Sequence, residues 1–163
     1  MVTGLQTVSL APASTVPARF KTRRGKGAIA AGYVYQKKLG HELRRRLDSP
    51  QSSLHGRLFL NQWLRFTDGS GPHLAQPDAF IAQEAEEETP ARIMLFEVKL
   101  SQTPEAVDQL RLLYRPLLER LYGLPVVMIQ VFKNLRTQEL MVTPEHITSS
   151  QPIVWNWHWI PRT

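Results

Sequence analysis

The chain has 163 residues, 42% of them hydrophobic, and a net charge of +6, which suits one domain with a real core and argues against two domains or global disorder. It contains no cysteine, which excludes a disulfide framework, thiolate zinc sites and a thiol nucleophile. The basic excess favours a polyanionic partner over a basic one. No stretch reaches membrane-span length and no signal-peptide pattern opens the chain. An intracellular, cytoplasmic protein with no membrane partner is therefore expected.

Residues 1–26 read as a flexible basic arm and residues 27–163 as a single domain. The first 18 positions are rich in Ser, Thr, Pro and Ala, the composition of a loose leader. Arg19, Lys21, Arg23, Arg24 and Lys26 then place five cations in nine positions. They read as a strap for nucleic-acid phosphates or as a solubilising tail. From 28 to 47 the spacing predicts a helix, with Ile29, Tyr33, Gln36, Gly40, Leu43 and Leu47 in one stripe. Glu42 falls on the wet side of that helix, near Lys38 and Arg45.

Residues 57–66 alternate as one strand, with Asn61-Gln62 as the place for a bulge. A strong turn follows at 67–72, then a second strand over about 75–82. Glu84, Glu86, Glu87 and Glu88 read as a solvated hairpin tip. A third strand covers 92–100. Thr103, Pro104 and Glu105 carry a helix start, and the helix runs to about Tyr122 and stops at Gly123. Residues 125–132 form a fourth strand, apolar on both faces and expected to run parallel to the third. A short edge strand is expected over 139–142. Residues 153–160 put Trp155, Trp157 and Trp159 on one face of a strand. That row closes a core or a subunit interface, or it stacks on unpaired bases.

The third strand is apolar on both alternating faces except at Glu97 and Lys99, which project from the same face. Buried charges of this kind are costly unless paired or bound to something. Asp78 ends a Pro-led approach to the neighbouring strand, so the three side chains can converge. Pro77-Asp78 followed by Glu97-Val98-Lys99 resembles the PD-(D/E)XK nuclease superfamily. The order of elements over residues 27–132 resembles that family as well.

The resemblance implies an α/β, restriction-endonuclease-like αβββαβ core: a central mixed sheet of four to five strands flanked by helices. It implies that Asp78, Glu97 and the Val98 carbonyl hold Mg²⁺ or Mn²⁺ and that Lys99 serves the attacking water. Many members carry a Glu on the first helix; here Gln36 stands at that place, either as a site residue or as a core-facing amide, with Glu42 as the fallback. Gln109 loosely matches a polar position on the second helix, or is simply exposed. The implied activity is metal-dependent hydrolysis of DNA by a small phage- or mobile-element-type endonuclease, acting as a homodimer or higher homo-oligomer. Two other readings stay open. Glu97 and Lys99 could form an ordinary ion pair, or the chain could be a noncatalytic nucleic-acid-binding or assembly protein.

Overall fold

The structure, a computed structural model, describes residues 2–21 and 27–162. Two long apolar runs organise it. Strand β6 (Arg92–Ser101) and strand β7 (Val126–Asn134) are buried along most of their length and lie side by side in parallel. They are the centre of a mixed five-stranded sheet, in the order β2 (Arg57–Leu60), β5 (Ala79–Gln83), β6, β7 and β8 (Val154–His158). The β2, β5 and β6 neighbours pair antiparallel, whereas β6, β7 and β8 pair parallel. A chain buried on both faces must be covered on both faces, and helices do this. Along β6, Met94, Phe96 and Val98 pack with Tyr35, Leu39 and Leu43 of helix α1 (Ala28–Asp48). The alternate residues Ile93 and Leu95 pack with Leu110, Leu117 and Leu118 on the other side.

Those last residues belong to a helical stretch in three parts: α2 (Pro104–Asp108), a π-helical segment (Gln109–Tyr114) and α3 (Arg115–Tyr122). Thr103 caps the start, accepting from the Glu105 N–H, and Gly123 ends it with φ 65°, as the residue types predict. The wide turn has a cause in the sequence. Pro116 lacks an N–H and its ring collides with a regular turn before it, so the backbone loosens there. Leu110, Tyr114, Leu117 and Leu118 all reach the core across this wide turn.

Five expectations need correction. Residues 57–66 are not one bulged strand. The chain turns a corner at Asn61, which has φ 51°, a left-handed conformation that Asn tolerates well. It continues as β3 (Trp63–Asp68), in a second, three-stranded sheet ordered β1 (Thr7–Ala11), β3, β4 (Gly71–Ala75). The strand expected over 75–82 is likewise two, β4 (Gly71–Ala75) and β5, separated by Gln76, Pro77 and Asp78. The first 18 residues are not loose from Thr7 onward. Strand β1 (Thr7–Ala11) pairs antiparallel with β3, and Ala11 and Val16 are buried against Trp63. The buried face of α1 is also shifted in its N-terminal half. Gly40, Leu43 and Leu47 of the expected stripe do meet the core, but Tyr35 and Leu39 are buried in place of Tyr33 and Gln36, and Ile29 is exposed. Of the edge strand expected over 139–142, only a single bridge from Met141 to Asn156 is seen.

Gly56, at the entry to β2, has φ 125°, and a Cβ there would overlap the Ala82 carbonyl oxygen and lie 2.8 Å from Ile81 Cγ2. Gly56→Ala is therefore expected to cost roughly 2 to 5 kcal/mol from backbone strain and overpacking together. A urea unfolding curve with a lowered midpoint and unchanged slope checks this.

Candidate functional site

The register of the main sheet brings the site together. Ala79 pairs with Phe96, so Asp78 stands opposite Glu97 across the antiparallel ladder, just before β5 begins. Asp78 Oδ2 accepts a 2.7 Å hydrogen bond from the Val98 N–H. Because one strand residue points its N–H and C=O to the same side, the Val98 carbonyl faces the same open edge. Glu97 is 3% exposed, and Lys99 Nζ lies 3.6 Å from its Oε1. The Asp78 carbonyl accepts from the Asn61 N–H at 3.0 Å, so the corner between the two sheets pins the start of β5.

The electrostatics follow from this burial. Glu97 is pushed up to about 9, first by burial and then by the Asp78 charge and the hydrogen bond between the two carboxyls; Lys99 opposes the shift. Asp78 is also raised by burial, against the Val98 N–H. At neutral pH the pair therefore keeps a proton. Glu97 Oε2 is buried and, among the described residues, meets no N–H or O–H donor, so with both carboxyls ionised it stays unpaired. Tyr114, on the π-helical segment, donates to the Gln76 carbonyl at 3.3 Å. Burial, then the nearby Glu97 and Asp78 charges, hold its hydroxyl protonated.

Asp78 and Val98 open into a cleft of about 860 Å³ between α1 and the corner at Asn61. Gln36 lines the same cleft, but its amide N–H goes to Asn61 Oδ1 at 2.6 Å. It thus meets Asp78 through Asn61, not directly. The other candidates lie elsewhere. Glu42 is held by Arg45 at 2.8 Å and Arg46 at 2.9 Å, which lower its carboxyl to about 2. Arg46 ties that cluster to Glu145 at 2.7 Å, so Glu42 does not serve as a fallback for Gln36. Gln109 lines a separate hollow with Asp68, His73 and Leu112. Arg19 is exposed, with its guanidinium 4.7 Å from the Phe20 ring centroid; Lys21 is exposed and lines the cleft. Arg23, Arg24 and Lys26 lie outside the described residues.

Some neighbours escape sequence reasoning. Glu97 pairs with Gln130 on β7, and Gln130 with Asn156 on β8, so one polar row crosses three strands. Gln130 accepts from the Thr103 N–H at 2.8 Å and donates to Asn156 Oδ1 at 3.2 Å. Both ends of each buried amide find a partner, Asn156 donating to the Glu139 carbonyl at 2.6 Å, and they fix the start of α2 relative to the acid pair. A lone Gln in an apolar run was their only signal. Ser70, His73 and Asp68 also gather in the β3–β4 turn. However, His73 Nε2 meets both Ser70 Oγ, at 2.7 Å, and Asp68 Oδ1, at 2.9 Å. A nucleophile relay needs both ring nitrogens, so this cluster braces a hairpin.

Among the described residues no three His, Cys, Asp or Glu side chains gather as a metal group. The donors at the edge are two carboxylates and one carbonyl, hard oxygens that suit Mg²⁺ or Mn²⁺. The unpaired Glu97 Oε2 fits a cation there, since a cation supplies the positive partner that a shared proton otherwise provides. Among the described residues no helix is long and apolar enough to cross a membrane. No protein-family model, curated protein or solved structure matches the chain.

Proposed function

We propose that the chain is a divalent-metal-dependent deoxyribonuclease, a small endonuclease of phage or mobile-element type that hydrolyses phosphodiester bonds in DNA. The observation that carries this reading is the grouping of Asp78 with Glu97 and Lys99, in which Asp78 also lines a cleft whose other charged linings are cationic. The Asp and Glu-x-Lys pattern and the order α1, β2, β5, β6, α2–α3, β7 support a kinship with the PD-(D/E)XK nucleases. Asp78, Glu97 and the Val98 carbonyl would hold the cation, which when bound polarises the scissile phosphate and acidifies water. Lys99 reaches out of the sheet beside the pair, where its ammonium offsets charge growing on the phosphate and orients the attacking water. Tyr114 and the Gln130–Asn156 row keep the acids in place. Each chain has one such centre, so scission of both strands of a duplex calls for two copies.

Supercoiled plasmid with MgCl₂ or MnCl₂ tests this. The parent nicks or linearises it; Asp78→Ala and Lys99→Ala lose at least about a hundredfold in rate, the scale of losing one positioned charge or donor. A second reading, a noncatalytic nucleic-acid-binding protein, draws on Gln36 being committed to Asn61 and on the absence of a third carboxylate beside the pair among the described residues. It gains if folded parent leaves plasmid, linear, branched and single-stranded DNA uncut in both metals.

A further inference from the structure

The cleft has a second character besides its acid end. Tyr33, Gln36, Lys37, Gly40, His41 and Arg44 line it from α1, positions that fall on one face of a helix. Lys37, His41 and Arg44 are exposed along that face, and Lys21 joins them from across the cleft. Asp78 is the one carboxyl among the lining residues. The acidic segment of Glu86, Glu87 and Glu88 lines a different hollow. Tyr33 adds a hydroxyl that meets no partner among the described residues. Gly40 lets α1 approach β2 closely, since a Cβ there would lie 3.1 Å from Leu60 Cδ1. That approach sets the cationic face beside the corner where Asp78 sits.

We propose that this face of α1 is the track for a DNA strand, with Lys37 and Arg44 binding successive backbone phosphates that lead to Asp78. The proposal rests on the nuclease reading and adds which surface carries the substrate. Lys37 and Arg44 are seven residues apart, about 10.5 Å along the helix axis, so they reach different phosphates of one strand. Neither side chain is tied up in an ion pair among the described residues, in contrast to Arg45 and Arg46. The contacts are to the backbone, so they position DNA without reading its sequence.

Fluorescence anisotropy with a labelled 20-base-pair duplex, in EDTA so that nothing is cut, tests the track. Binding is measured from low to moderate salt. Losing two phosphate contacts in Lys37→Ala/Arg44→Ala lowers the slope of log affinity against log salt by about 1.8. Affinity falls about tenfold or more near 0.1 M salt. Lys38→Ala, exposed but outside the cleft, stays within about twofold of the parent. A double variant that keeps the parent's slope and affinity overturns the track while leaving the nuclease reading intact. A double variant that loses affinity, in a parent that never cuts DNA, upholds the DNA surface and defeats the nuclease reading instead. A parent with no affinity for the duplex overturns both.

Discussion

Glu97→Gln is expected to give a protein that no longer cuts DNA and yet melts at a higher temperature than the parent above neutral pH. The stability half follows from proton linkage. Glu97 ordinarily titrates near 4.5 and is raised to about 9 in the fold. Between those values the folded chain keeps a proton that the unfolded chain releases, so its stability is full below 4.5 and falls as pH climbs toward 9. A neutral Gln of the same shape removes that dependence and still offers Asp78 an N–H. At pH 8 the variant is expected to melt higher by about 5 °C, the effect of one to two kcal/mol on a domain of this size. The activity half follows from charge. One carboxylate fewer weakens the hold on a divalent cation, and cleavage drops by about a thousandfold or more, within the range metal and electrostatic stabilisation supply. Added MnCl₂ raises the parent's melting temperature by mass action but not the variant's. Parallel melting-temperature curves from pH 5 to 9 would remove the shared proton. Undiminished cutting by the variant would remove Glu97 from catalysis.

The centre of the sheet was legible because hydrophobic burial writes itself plainly there. Residues 93–98 and 126–132 admit few polar side chains, so Glu97 stood out, and a two-residue spacing put Lys99 beside it. Asp78 was legible through Pro77, which cannot continue a ladder. The corner at Asn61 was not. Leu58, Leu60, Leu64 and Phe66 keep the same parity on both sides of it, so the alternation runs through a change of sheet. Strand β1 hid in the same way, because Thr7 to Ala11 packs on a small sheet whose outer face needs few apolar residues. The shift in the buried face of α1 has a different origin. That helix offers two apolar rows, and periodicity alone does not say which one meets the sheet. Tyr35, Leu39 and Leu43 win because they fill the space above Phe96 and Val98. The same shift turns Gln36 and Lys37 into the cleft, away from the buried row. Gln36 then finds Asn61, a partner that exists only because the chain bends there.

Trp157→Ala is expected to be the most damaging of these substitutions to the fold, and it decides what the tryptophan row is for. Trp157 is 3% exposed. Its ring lies 6.3 Å from that of Phe96 and 6.1 Å from that of Trp159. The Arg46 guanidinium sits 4.7 Å from its centroid, held there by Glu42 and Glu145. Trp155 and Trp159 are partly buried against the same core, and Tyr35 donates to the Trp159 carbonyl at 2.8 Å. A ring enclosed in this way is not free to stack on a base without opening the core. Truncation to Ala loses the transfer energy and leaves a cavity, about 3 to 5 kcal/mol. Against a total stability of roughly 5 to 15 kcal/mol, the variant unfolds at a much lower urea concentration. Trp157→Phe keeps most of the volume and supplies the control. Its urea midpoint falls by less, and its affinity for single-stranded DNA stays within about twofold of the parent's. A Phe variant that keeps the parent's midpoint but loses tenfold in single-strand affinity would reverse the assignment, because base stacking and not packing would then be what the ring provides.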